Sequence, residues 1–318
     1  MKIAKIMFQD ILLQLIRRKI GEKSLNDEIA NVLNISYDAA HRRCSGKSKL
    51  SIDETVLLCQ YYDISFDNLF LSQEQIIVKK SGQVHHPKEI LHYFQHSLQT
   101  LQNLKTSSQA KIYYSALDIP FFYTISDTVL SKFKMYVWFN LVNETQFSVP
   151  FDQFSKENPS AKSDELKEFY ENLEVVEIWN QTTISSLLYQ INFYTEIGNL
   201  SLENAQIILD DLVELLEYIE QKIITKEGKF QLYANELLTL SNNFVLVTPE
   251  QNTLCLPYNI FGYLISHDEE TCQESLQFFE QQIKNSRSLN FAGNRDRKMF
   301  FNQLYRKIED FRKQLMIL

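Results

Sequence analysis

Between residues 3 and 19, Ile3, Ile6, Met7, Ile11, Leu12, Leu15 and Ile16 recur mostly at intervals of three and four, which places them on one face of a helix. Arg17, Arg18 and Lys19 follow, where cations complement the negative end of a helix dipole, and Gly21 offers a terminator. A second, short helix is predicted with Asn26 as its N-cap and Ile29, Ala30 and Leu33 inward. Asn34 stands where the chain must then turn, and Asn tolerates the left-handed conformation such a turn requires. Ile35 packs down, Ser36 caps a third helix, Ala40 supplies a small inward contact and Gly46 ends the element. Ser51-Ile52-Asp53-Glu54 has the spacing of a capping box and opens a fourth helix, with Val56, Leu57 and Cys59 predicted for its core side. A turn at Asp63-Ile64-Ser65 leads to a fifth helix carrying Phe66, Leu69 and Phe70.

The pattern then changes. Residues 72–88, SQEQIIVKKSGQVHHPK, are polar with one Gly and one Pro, and mark a boundary. Beyond it helix and strand alternate. Helices are predicted at Pro87–Leu104, Ser126–Val142, Ser163–Leu173 and Thr182–Ile197, then at Asp268–Lys284 and Arg295–Leu315. Strands are predicted at Lys111–Leu117, Val175–Trp179, Phe230–Ala234, Phe244–Thr248 and Thr253–Leu256, with Pro249–Asn252 turning the last two into a hairpin. In Ser201–Thr225, Leu202, Ala205, Leu209, Leu212, Leu216, Ile219 and Ile223 keep an a/d spacing over three heptads. This segment reads either as a dimerisation helix or as one packed on a sheet or an antiparallel partner. Ile208 and Leu215 widen the stripe, and Asp210, Asp211, Glu214, Glu217 and Glu220 would set like charges together in a parallel pair. The fold class is therefore mainly α: a five-helix domain over 1–72, a linker at 73–88, and a larger mixed α/β domain over 89–318.

Composition narrows the function classes. Seven Gly and six Pro are few for 318 residues, which argues against glycine-cradled cofactor folds and turn-dense β sandwiches. Cys44, Cys59, Cys255 and Cys272 form no CxxC pair and read as free thiols of a reducing cytoplasm. No apolar run approaches the roughly 20 residues of a membrane span, so a cytoplasmic location with no membrane partner is expected. The net charge of −8 is unevenly spread: residues 1–80 carry 12 Lys and Arg against 10 Asp and Glu, leaving 20 against 30 for the remainder. Within Tyr37–Lys49, Arg42, Arg43, Lys47 and Lys49 stand against Asp38 alone. A small basic spot on an acidic molecule implies an oriented contact with a polyanion.

The stretch DEIANVLNISYDAAHRRCSGKSKLSIDETVLLCQYYDISFDNLF, with the helix before it, resembles the XRE or λ-repressor-like helix-turn-helix family, in a form similar to BetR-type regulators. The resemblance covers residues 8–72 and departs from the usual pattern at the inter-helix turn, where Asn34 replaces glycine. It implies that the third helix enters the major groove of double-stranded DNA, with Ser36 at its head and Tyr37, Asp38, His41, Arg42 and Ser45 toward the bases. Arg42 is the residue it points to for a bidentate contact with guanine. Asn26, Lys47 and Lys49 are placed for phosphates. Arg43 is expected to turn partly toward the core. A homodimer follows from the geometry of half-sites, and the function implied is transcriptional regulation, with the larger domain sensing an effector or dimerising. The order of strands, hairpin and terminal helix in that domain resembles the phospholipase D-like sensory domains attached to some bacterial regulators. The HxK-plus-Asp signature is missing, since His86-Pro87-Lys88 is followed by Tyr93 where the Asp would stand.

Catalytic and metal chemistry find little foothold. His92 and His96, four apart on a helix, have the only metal-like spacing, and no metal is expected there. No phosphate-cradling loop, HExxH or GxSxG motif is present. No cofactor and no enzymatic activity are expected. The alternative is an enzyme or metabolite-binding protein with an appended DNA-targeting module. Trp138 and Trp179 are either core or the lining of an apolar effector pocket.

Overall fold

The computed structural model describes residues 8–62, 64, 75–82, 84–104, 109–142, 149–158, 162–225, 228–237, 241–290 and 294–316. The chain divides into two compact units, Met1–Ile77 and Val78–Leu318.

In the first unit the described helices are α1 (Phe8–Ile20), α2 (Leu25–Leu33), α3 (Tyr37–Cys44) and α4 (Ile52–Tyr61). Their apolar stripes close on Leu12, Leu13, Ile16, Ile29, Ala40, Leu58, Cys59 and Tyr62. Capping sets most of the boundaries. Ser36 accepts from the Ala39 amide at the head of α3, and Ser51 and Glu54 form a complete capping box on α4. The cap of α2 corrects the sequence expectation: Ser24 accepts from the Asp27 amide, so the helix starts two residues early and Asn26 lies within its first turn. The inner face of α4 also differs. The register fixed by the capping box turns Thr55, Leu58 and Cys59 inward, leaving Val56 and Leu57 40% and 45% exposed. Ile3, Ile6, Met7, Asp63, Ser65 and the predicted fifth helix with Phe66, Leu69 and Phe70 lie outside the described residues.

The second unit is built on an eight-stranded mixed sheet: β1 (Lys79–Lys80), β2 (Lys111–Ser115), β3 (Glu174–Trp179), β4 (Phe230–Ala234), β5 (Phe244–Val247), β6 (Asn252–Pro257), β7 (Tyr263–Ser266) and β8 (Arg287–Ser288). The spatial order is β1-β7-β6-β5-β2-β3-β4-β8, with β2, β3 and β4 parallel and the other pairs antiparallel. The parallel strands are joined through helices, as parallel pairing requires: α6 (Val129–Val142), α7 (Phe151–Glu157) and α8 (Asp164–Glu171) lie between β2 and β3, and α9 (Ser185–Glu196) and α10 (Leu202–Thr225) between β3 and β4. The remaining helices are α5 (Ile90–Leu104), preceded by a 3-10 turn at Pro87–Glu89, α11 (Glu269–Lys284) and α12 (Asn294–Leu315). One face of the sheet joins α5 to α10 and α12 in a single large core, while Cys272 and Phe279 of α11 pack on the other, against Ile178, Val245 and Leu254. Within the polar stretch 73–88, Lys79 and Lys80 pair with Ile265 and Leu264.

Several predicted ends shift for local reasons. The helix read from Thr182 begins at Ser185, because the Asn180 side chain accepts from the Thr182 amide at 2.8 Å and holds it in a turn. The helix read from Ser126 begins at Val129, where Ser126 and Thr128 bond to the Ser131 hydroxyl. The strand read to Leu117 stops at Ser115. From Ala205 to Ile223, helix α10 buries its stripe inside its own unit, against α6, α9, α12 and β4, while Leu202 is exposed. On α12, Arg312 pairs with Asp210 of α10 and with Glu309.

The sheet carries a buried cluster around a charged residue. Glu177 of β3 is fully buried and accepts from Tyr123 and Tyr170 at 2.7 Å and from the Trp179 indole at 2.6 Å. Lys222 of α10, also buried, donates to the Tyr123 hydroxyl at 3.3 Å and lies 4.4 Å from the centre of the Phe230 ring. Burial pushes the Glu177 carboxyl up, against the pull of Lys222 and of the three donors.

Candidate nucleic-acid interface

The motif is organised around the turn between α2 and α3. Asn34 takes the left-handed conformation, at φ 51° and ψ 48°, and the Ile35 amide bonds back to the Ala30 carbonyl at 3.0 Å. A short side chain that tolerates positive φ is what this position demands. Ala40, with no exposed surface, lets α3 approach the core closely.

Helix α3 then presents Tyr37, Asp38, His41 and Arg42 to solvent, with Ser36 exposed at its head and Ser45 at its tail. The first turn of α2 meets this surface. The Asn26 side-chain amide donates to the Tyr37 hydroxyl at 3.2 Å and lies 3.5 Å from Nδ1 of His41. Three residues selected from sequence are thus assembled into one polar group spanning two helices. Ser45 is exposed, but its hydroxyl turns back to the His41 carbonyl at 2.7 Å. Lys47 and Lys49 are exposed in the segment that joins α3 to α4.

The two adjacent arginines have opposite fates. Arg42 points outward, whereas Arg43 donates to Glu54 at 2.6 Å and to the Ala39 carbonyl at 3.1 Å. The Arg43 guanidinium holds the Glu54 carboxyl below the usual carboxylate range, and Glu54 in turn raises Arg43. Arg43 therefore clamps α3 to α4.

One positioning residue escapes sequence reasoning. Gln9, buried on α1, donates to the carbonyls of Arg43 at 2.6 Å and Ser48 at 3.0 Å, and accepts from the Leu50 amide at 3.1 Å. It fixes the end of α3 and the basic segment after it. The available signal was a glutamine three and four residues before Leu12 and Leu13, on the buried stripe of α1.

The remaining candidates fall elsewhere. His92 and His96 are exposed on α5, and no group of three or more His, Cys, Asp or Glu suited to a metal occurs among the described residues. The four cysteines are free thiols. Trp179 is buried beside Glu177, and Trp138 packs on Phe121 and Phe261. No described helix is long and apolar enough to cross a membrane. No curated protein and no solved structure matches the chain. A family does match its N-terminal third: residues 3–108 fit the BetR domain, a helix-turn-helix family of the XRE/λ-repressor type.

Proposed function

We propose that this chain is a sequence-specific transcriptional regulator that binds double-stranded DNA as a homodimer, with α3 in the major groove and the second unit sensing an effector. The observation that carries the reading is the division of labour between neighbours on α3: Arg43 is committed to Glu54 while Arg42 faces solvent. A guanidinium displayed on an anchored helix suits bidentate recognition of guanine. Asn26, Tyr37 and His41 form the polar surface beside it, and Lys47 and Lys49 supply phosphate contacts that set register. Ser36, Asp38 and Ser45 border the same surface. One such reader spans a half-site, so symmetric pairing supplies a second about 34 Å away, one turn of the duplex. An acidic second unit discourages indiscriminate binding and leaves this small surface to choose the site.

Selection of bound DNA from a random pool tests the reading. A palindromic site with half-sites one helical turn apart is the expected result. Absence of enrichment at every salt concentration would overturn it.

A further inference from the structure

Within the second unit a cavity of about 220 Å³ opens between α5, the 3-10 turn Phe121–Tyr123 and strands β1, β5, β6 and β7. It exceeds the roughly 150 Å³ that suffices to hold a benzene ring. Leu101, Phe121, Phe122, Leu166, Phe244 and Ile265 make its wall apolar. The polar groups deep in that wall are already committed: the Tyr93 hydroxyl donates to the Phe261 carbonyl at 2.5 Å, and the Ser81 hydroxyl accepts from the Tyr263 amide at 2.8 Å. An occupant must therefore bring an apolar body, because a polar one would lose its hydrogen bonds to water without replacement.

The rim has the opposite character. Lys79, Lys80 and His96 border the cavity and are exposed, and no Asp or Glu is among the described residues that line it. In a unit where acidic residues outnumber basic ones, two adjacent lysines beside an apolar recess are a local reversal of charge. Both lie on β1, the first strand of the unit, which is held to the sheet through two paired residues.

We propose that this cavity is the effector site and that its ligand is a small amphipathic anion, a single aromatic ring or short alkyl chain bearing a carboxylate. The ring or chain fills the recess, and the carboxylate meets Lys79, which pairs with Ile265 and shares its face of the sheet, while Lys80 beside it adds positive charge at the rim. The proposal rests on the reading of the second unit as a sensor.

The test is calorimetric titration of the full chain with benzoate and octanoate, each against its uncharged counterpart, benzyl alcohol and 1-octanol. At least one acid should bind saturably and at least tenfold more tightly than its alcohol. The double variant Lys79→Ala/Lys80→Ala, which alters exposed side chains only, should abolish that preference. Ser97→Phe, which fills the recess from α5, should weaken binding of both partners at least tenfold. Four ligands that fail to saturate, an acid bound no better than its alcohol, or binding untouched by the lysine variant would overturn the proposal. Selection of DNA by the same protein separates the two readings. An enriched operator without acid binding defeats the cavity alone, and acid binding without an operator defeats the regulator while leaving the cavity in place.

Discussion

The side-chain amide of Gln9 on α1 donates a 2.6 Å hydrogen bond to the carbonyl of Arg43, near the end of α3. Through the Ser48 carbonyl and the Leu50 amide the same side chain also holds the segment that carries Lys47 and Lys49. The first helix therefore positions both the end of α3 and the basic segment that follows it.

Replacing Gln9 by Leu keeps the bulk and removes all three bonds. Leaving buried backbone groups unpaired costs about 1–3 kcal/mol. The unfolding free energy should fall by that amount, lowering the urea midpoint, and DNA affinity should fall alike on all sequences. An unchanged midpoint would mean that water takes over the Gln9 partners.

On a selected operator, Arg42→Ala should cost about 1–3 kcal/mol and relax the preference at a single base pair. Lys49→Ala should instead weaken every sequence similarly and reduce the salt slope by about one. Binding curves at several salt concentrations separate these outcomes. If both variants bound as the parent does, α3 would not be the reading helix.

The turn at Asn34 and the caps at Ser36 and Ser51 are local chemistry, acting within a few residues, and were legible. So were the long helices and the β5–β6 hairpin, whose periodicity spans many positions. The cap of α2 was misplaced from Ser24 to Asn26 because both residues are good caps and only the register of Ile29 against the core decides between them. The role of Gln9 is not legible locally, since its partners stand 34 to 41 positions away. The two-residue strands β1 and β8 have no period to read.

The Arg43–Glu54 pair gives a pH dependence. Because Arg43 depresses the folded-state value of Glu54, the pair contributes stability in full above the ordinary glutamate value of about 4.3. That contribution is lost as pH falls through the lower folded value. Thermal unfolding of the wild type should therefore show an acid-dependent drop below about pH 4.3 that is reduced in Arg43→Met. Parallel profiles for the two proteins would remove the clamp from the account.

In the second unit, Glu177→Ala takes the acceptor away from the Tyr123 and Tyr170 hydroxyls and the Trp179 indole in the core. Leaving a buried donor without its acceptor costs about 1–3 kcal/mol for each group. Denaturant unfolding of the full chain measures this, and a loss well under 1 kcal/mol would show that the donors find other acceptors.

The match to the BetR domain runs to residue 108, past the division at Ile77 and across β1 and the whole of α5. A fragment cut at the end of that match would carry Ile90, Phe94 and Leu101 without the strands and helices that bury them. Such a piece would expose a greasy helix and precipitate, however sound its DNA reader. Cutting at Ile77 yields the portion whose contacts are its own, and that shorter fragment is the one to express when the reader alone is wanted.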